Sequence, residues 1–301
     1  MSAQGDSLKS ILLALGANAA IAVSKFVAAW ITQSGSMLAE AVHSASDCGN
    51  QILLLWGMKV AKRPATADHP LGYGKEVYFW SFIVAIMLFS MGGLFSIYEG
   101  WHKLHNPEPL ENPLVAIGVL IFGIVAEGFS LWGCVQEINK ARGGRPFSRW
   151  FVETRQSELI VVFGEDIAAM FGLTLALAAI GATLITHNPM YDALGSIGIG
   201  LLLVLVAVFV GREVKALLIG QSVEAEVRET IQKTILGFPT VRQIFNMITL
   251  QMGNEIMVAV KAEIYAEGAA ETAQAINAIE QAIKQAVPSV SWVFFEPDIE
   301  D

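Results

Sequence analysis

Long apolar stretches broken by short polar ones run through most of this chain. Six can be marked: Leu8–Ile31, Met37–Val60, Tyr78–Gly100, Pro113–Val135, Leu159–Ile185 and Met190–Val210. At ~1.5 Å of rise per residue, each is long enough to cross a hydrocarbon core of ~30 Å. The third has Tyr, Phe and Trp at its ends, where amphipathic rings favour the membrane interface. Beyond about Gln221 the pattern changes. Val223–Leu236 predicts a helix stopped by Gly237 and Pro239. Thr240–Met252 and Glu255–Tyr265 predict two strands around a Gly253-Asn254 turn. In the second strand Ile256, Val258, Val260, Ala262 and Ile264 alternate with Met257, Ala259, Lys261 and Glu263. Ala269–Ala286 predicts an amphipathic helix, with Ile276, Ile279 and Ile283 on one side, and Ser291–Glu296 a last strand. The expected fold is an α-helical membrane protein. Six transmembrane helices fill residues 1–221, and a small cytoplasmic α+β domain of order αββαβ fills residues 222–301, with its helices on one side of the sheet.

Composition points the same way. Of 301 residues, 54% are hydrophobic and 16% charged, too apolar for an ordinary soluble protein of this size. Cys48 and Cys134 both lie in apolar segments and make neither a disulfide framework nor a CxxC metal site. The opening MSAQGDSLKS is short and polar, and the apolar run behind it is too long for a signal-peptide core, so it reads as a first span.

Charge orients the bundle. Lys59, Lys62, Arg63 and Lys75 follow the second span; Lys140, Arg142, Arg145, Arg149 and Arg155 follow the fourth; Arg212 and Lys215 follow the sixth. The loops after spans one and five carry no Lys or Arg, and the loop after span three has only Lys103. The positive-inside rule places both termini in the cytoplasm. From Ser222 onward twelve acids face five bases, so the tail holds most of the net charge of −9. Such a tail is a poor partner for nucleic acid. It suits the handling of cations, or plain solubility.

The second span breaks its own apolar pattern. Glu40, His43, Asp47 and Asn50 recur every three or four residues and line one helix face. An Asp near the centre of a spanning helix costs ~2.5–3.5 kcal/mol on the insertion scale. The stripe therefore needs a cavity, a partner helix or an ion to face. A polar helix–helix seam is the plain alternative to a binding site. Other ionisable residues lie in the apolar spans: Glu127 in the fourth, Glu165 and Asp166 in the fifth, and Lys25 in the first, which reads as a structural counter-charge or interior hydrogen-bonding group. Asp47 is roughly ten residues, about 15 Å, from the start of its span, and Asp166 lies at a similar depth from the other side. Both fall near mid-membrane. Glu165 points about 100° from Asp166 and is less suited to share its site.

One imidazole and two carboxylates, from His43, Asp47 and Asp166, carry a charge near −2 and match a divalent cation. Imidazole favours zinc and its neighbours over magnesium or calcium. A tetrahedral zinc site wants four donors, leaving one position to water, Glu165, Glu127 or Glu40. Carboxylates released by a departing metal attract protons, and an imidazole exchanges them near neutral pH. No nucleophile–base pair or HExxH stands beside these residues, so the chain does not read as an enzyme.

At these residues the chain resembles the cation diffusion facilitator family of metal–proton antiporters, over nearly its whole length. The resemblance rests on SGSMLAEAVHSASDCGNQ with its HxxxD, on DHPLGYGKE, on DALGSIGIGLLL opening the sixth span, and on a tail ending in FFEPD. It implies a homodimer with His43 and Asp47 as transport-site ligands. The family's fifth-helix motif is HxxxD or DxxxD. Asp166 matches its second position, but Val162 stands at the first and cannot bind metal. VVFGEDIAAMFG looks more like the branch containing the vertebrate zinc transporter nine, where an adjacent Glu-Asp pair occupies this place. Asp166 carries over as a ligand on this likeness, with Glu165 as a candidate replacement donor. Asp68 and His69 are kept from a loop metal motif, but Tyr73 stands at its later histidine, so a loop site is expected to be weak or absent. The tail has no His or Cys, which leaves dimerisation as its expected role. His102, His105 and His187 read as solvated or interfacial histidines.

The expected function is a homodimeric secondary transporter in a bilayer, a bacterial inner (cytoplasmic) membrane. It would export Zn2+ or a similar divalent transition metal in exchange for protons, with no cofactor beyond the transported ion. Two rivals stand beside it. One is the same bundle selective for Mn, Fe, Co or Ni; the other is a non-transporting membrane sensor or scaffold.

Overall fold

Runs of Leu, Ala, Val and Ile with few breakers fold into long helices, which a computed structural model describes over residues 3–107 and 109–300. They are α1 (Ala3–Thr32) and α2 (Gly35–Ala61), then α3 (Glu76–Met87), which continues through a π-helical segment at Leu88–Leu94 into α4 (Phe95–His105). α5 (Pro113–Ala141), a short α6 (Phe147–Glu153), α7 (Ser157–Thr186) and α8 (Met190–Ile219) follow. Among the described residues, four helical runs are long and apolar enough to cross a membrane: Glu76–His105, Pro113–Ala141, Ser157–Thr186 and Met190–Ile219. α1 adds a shorter apolar stretch, Asn18–Thr32. α2 has the length of a span, and its polar stripe keeps it below that apolarity. The expectation of six apolar spans thus becomes six long helical runs, of which four qualify by length and composition.

Two features escaped the hydropathy pattern. α6 lies in the basic stretch after the fourth span, too short to show a period, and forms around Trp150, which is fully buried. The π-helical segment falls on SMGG, where small residues let α8 approach closely. A Cβ on Gly93 would strike Val204, one on Gly100 would strike Ala193 and Ile197, and one on Gly200 would strike Ile97 and the Gly93 carbonyl. Such small-residue seams let membrane helices pack at short range.

The chain divides into two compact units. The first holds Met1–Gly57, Trp80–Gly144 and Glu158–Val214. Its apolar core includes Met37, Leu88, Leu120, Leu173, Ile180, Ile199 and Leu203. The second holds Met58–Phe79, Arg145–Ser157 and Lys215–Asp301. It contains α9 (Ala225–Leu236), β1 (Val241–Met252), β2 (Glu255–Ile264), α10 (Ala269–Ala286) and β3 (Val290–Pro297), the expected αββαβ order. β1 and β2 pair antiparallel around Gly253, whose φ of 66° suits glycine; β3 returns through α10 to pair parallel with β2. The alternation in β2 is real: Ile256, Val258, Val260 and Ala262 are buried with Ile231, Ile235, Ile279 and Ile283 of the two helices.

Within this unit the connecting segments are tied to the tail. Tyr78, fully buried, accepts the Gly253 N–H at 2.9 Å, and a Cβ on Gly74 would collide with the Met252 carbonyl. Arg145 donates to Glu224 at 2.6 Å and Arg155 to the Ser222 carbonyl at 2.7 Å.

Candidate functional site

Four helices of the first unit each turn polar residues toward one small cavity of about 40 Å3. α2 contributes Ser44, Asp47 and Gln51; α5 contributes Glu127 and Ser130; α1 contributes Asn18 and Ile21; α7 contributes Val162, Glu165, Asp166 and Ala169. The spacings are those of single helix faces, i, i+3, i+4 and i+7. Four carboxylates therefore line one space. A void this size exceeds the ~10–15 Å3 that one water needs, and suits a small ion with part of its hydration.

The face on α7 explains why Glu165 and Asp166 share the site despite the 100° between them. Val162, Glu165, Asp166 and Ala169 form one strip, and the two acids flank its midline. The expectation that Glu165 is poorly placed does not hold for this geometry. Val162, where the family motif has a donor, also lines the cavity and offers none.

The stripe on α2 divides into three kinds of contact. Glu40, fully buried, is paired by Lys25 of α1, with Nζ 3.3 Å from Oε2; the same ammonium donates to Ser44 Oγ at 2.6 Å. Gly172 of α7 leaves room for this carboxylate, since a Cβ there would strike Glu40 Oε1. Asn50 donates through Nδ2 to Glu165 Oε1 at 2.5 Å, a polar seam between α2 and α7. His43 and Asp47 are left for the cavity region, with His43 Nδ1 3.5 Å from Asp47 Oδ1. The Glu40 and Asn50 contacts are the seam that the sequence offered as the alternative. The cavity is an additional feature.

Unsatisfied polar atoms mark where a ligand would matter. Asp47 Oδ1, Asp166 Oδ2 and both ring nitrogens of His43 are buried without a hydrogen-bond partner, whereas Asp166 Oδ1 accepts from Ser130 Oγ at 3.1 Å. Buried polar atoms are nearly always partnered, so such a group needs an explanation. Carboxylate oxygens and imidazole nitrogens together are a donor set for a transition metal. Among the described residues, no three His, Cys, Asp or Glu side chains stand gathered as a formed metal cluster. Asp47 and Asp166 line the cavity, whereas His43, 3.5 Å from Asp47, is not among its lining residues, so the donors are not drawn together.

Sequence reasoning missed Asn18, Ser44, Gln51 and Ser130. Ser44 and Gln51 share the face of Asp47, and Ser130 lies one turn from Glu127, so spacing would have pointed to them. Outside the bundle, Asp68 and His69 are exposed, and the His69 ring stacks on Tyr73 with centroids 4.5 Å apart. His102, His105 and His187 are exposed on or beside helix ends. The tail's surface ion pairs include Lys261 with Asp298 at 3.0 Å, which holds the Asp298 carboxyl below its ordinary range.

Near the start of α2 a different carboxylate serves the fold. Asp192 of α8 accepts from Ser34 Oγ at 2.7 Å, from Gly35 N at 2.7 Å, from Ser36 N at 3.3 Å and from Ser36 Oγ. This caps α2 from another helix and satisfies N–H groups that a helix start leaves free.

Comparison with known proteins places this arrangement. The cation efflux transmembrane domain matches residues 11–219, more than two thirds of the chain. The proton-coupled zinc antiporter SLC30A9, mitochondrial, of Homo sapiens is 34% identical over 262 residues, covering 86% of this chain and 46% of that protein. Metal tolerance protein C4 of Arabidopsis thaliana is 32% identical over 242 residues, covering 80% and 53%. The cation-efflux pump FieF of Cronobacter sakazakii is 26% identical over 235 residues, covering 77% and 72%. The chain spans about half the length of the first two. On that match and these likenesses, the chain belongs to the cation efflux (cation diffusion facilitator) family of integral membrane transporters.

Proposed function

We propose that this protein is a secondary transporter that moves Zn2+ out of the cytoplasm in exchange for protons. The observation that carries the reading is the cavity lined by Asp47, Glu127, Glu165 and Asp166, in which Asp47 and Asp166 each have a carboxylate oxygen without a hydrogen-bond partner; His43, outside the lining, lies 3.5 Å from Asp47. Asp47 and Asp166, with His43 on the same turn as Asp47, are the proposed ligands. Glu165, bonded to Asn50 at the cavity wall, is the proposed proton-linked neighbour. Likeness to a relative whose name says proton-coupled zinc antiporter supports both the ion and the exchange. In this reading six helical runs span the bilayer and both termini are cytoplasmic. Residues 222–301 serve a homodimer, and the membrane is a bacterial inner one.

Mechanistically, negative charge gathered among apolar helices attracts a divalent cation, and the same carboxylates attract protons when the cation leaves. Metal and protons then compete for one set of oxygens, which is the requirement for exchange. Lining the cavity with Val162 instead of a fourth donor favours a second reading, transport of Mn2+, Fe2+, Co2+ or Ni2+ through the same site. Metal flux into proteoliposomes carrying a pH-sensitive dye, with competing divalent ions outside, tests both. Zinc uptake coupled to an opposite proton movement is expected. Preference for another metal selects the second reading, and absence of any flux would make the chain a sensor or scaffold.

A further inference from the structure

Among the described residues, Lys25 is a cation buried among these acids for which the exchange reading has no role. Its side chain is fully enclosed and its Nζ reaches both Glu40, at 3.3 Å, and Ser44, at 2.6 Å. Ser44 lines the cavity beside Asp47. Glu40 stands one turn from His43 on the same face of α2, and seven residues, about 10 Å, from Asp47. Glu40 Oε1 has no hydrogen-bond partner, and neither ring nitrogen of His43 has one. Without Lys25, a carboxylate and an imidazole at i and i+3 would form a second metal station, displaced from the cavity toward the first turn of α2.

We infer that Lys25 is a positioning and specificity residue that withholds Glu40 from the metal. Its ammonium claims one Glu40 oxygen and adds a positive charge where a divalent ion would otherwise settle between Glu40 and His43. Repulsion between that charge and an incoming cation keeps the ion at the Asp47–Asp166 end. The hydrogen bond to Ser44 also fixes the turn of α2 that carries His43. A cation tethered beside the path makes release possible, because it denies the ion a second anionic anchor. This inference rests on the transport reading above, and it concerns where the ion is excluded rather than where it binds.

The experiment measures zinc affinity of detergent-purified protein by competition with a fluorescent chelator, and zinc flux in proteoliposomes. Lys25→Met is expected to tighten zinc binding by about tenfold or more, the scale of one added charged contact, while slowing flux. Lys25→Met/Glu40→Gln should return affinity to that of the unmodified protein. Glu40→Gln alone, which keeps an acceptor for Lys25, should change affinity by less than about twofold, well below what a lost ligand costs. This variant decides the matter even where Lys25→Met does not fold: weakening of about tenfold would make Glu40 a ligand in the native protein and overturn the inference. Unchanged affinity in a folded Lys25→Met protein would overturn it as well. Zinc binding or flux missing from the unmodified protein would instead defeat the transport reading.

Discussion

Asp47→Ala separates a ligand from a structural residue more cleanly than any other change in this bundle. The Asp47 carboxylate faces the cavity, its Oδ1 has no hydrogen-bond partner, and it lies 3.5 Å from His43 Nδ1. Truncation therefore removes no hydrogen bond at Oδ1. The small enlargement of the cavity costs stability, while loss of an unpartnered buried carboxylate offsets it, so the net change should lie within about 1 kcal/mol. Binding should respond quite differently. A charged contact to the ion is worth about 1.5–3 kcal/mol, which weakens zinc affinity roughly 10- to 150-fold. Chelator competition gives the affinity, and thermal unfolding of the same detergent preparation gives the stability. A midpoint near that of the unmodified protein with affinity lost is the expected pair. The reverse pair, lowered midpoint with zinc affinity kept within about twofold, would show that Asp47 belongs to a helix seam and refute the assignment.

Three further outcomes follow from named contacts. Glu165→Gln keeps the acceptor that Asn50 uses at 2.5 Å, so it should preserve zinc affinity yet alter the pH dependence of flux; a tenfold loss of affinity, about 1.4 kcal/mol, would make Glu165 a ligand. Asp192→Ala strips the cap from α2 and strands Gly35 N, costing about 1–3 kcal/mol in thermal stability, with zinc affinity unchanged because the cavity residues lie deeper in the helices; an unaltered unfolding midpoint would refute the capping role. In the tail, Lys261 holds Asp298 below its ordinary range, so that contact stabilises above the unfolded value of about 3.9 and is lost as pH falls through the lower folded value. Lys261→Met should move the Asp298 titration, followed by carboxyl NMR, upward toward the ordinary range. No movement would assign the shift to the backbone donors at Ile299 and beyond.

Much of this molecule is legible in the sequence because its elements are long or strictly periodic. The alternation from Ile256 to Ala262 fixes β2, and the apolar runs fix helices that the structure extends mostly at their C-terminal ends, α5 and α8 starting at the expected Pro113 and Met190. α6 was invisible for the opposite reason: seven residues around one buried Trp150 carry no period. Spacing also singled out Asp47, Asp166 and Glu127, which line the cavity. It failed for Glu165, because an angle around one helix says nothing of where the cavity's midline lies. It could not foresee that Lys25 would engage Glu40, since pairing between α1 and α2 depends on depth in both helices. Nor could it divide the α2 stripe into seam and cavity, which depends on partners far away in sequence.

That division explains how α2 is tolerated between apolar helices. Facing lipid, its acids would each cost ~2.5–3.5 kcal/mol on the insertion scale, enough to exclude the helix. Glu40 is met by Lys25 of α1, Asn50 by Glu165 of α7, and the helix start by Asp192 of α8. Three contacts to three other helices thus hold α2 in one rotation and one depth. The Asn50–Glu165 bond and the Glu40–Gly172 fit lie ten residues apart on α2 and seven apart, in the opposite sense, on α7, which sets an antiparallel register between them. Within that register Asp47 falls opposite the strip that carries Asp166. Asp47 Oδ1, Asp166 Oδ2 and the His43 ring, unpartnered like Glu40 Oε1 and Asn50 Oδ1 of the anchoring residues, lie between the two anchored contacts. The paired polar residues place the helix, and the unpaired ones between them are what remains for an ion to satisfy.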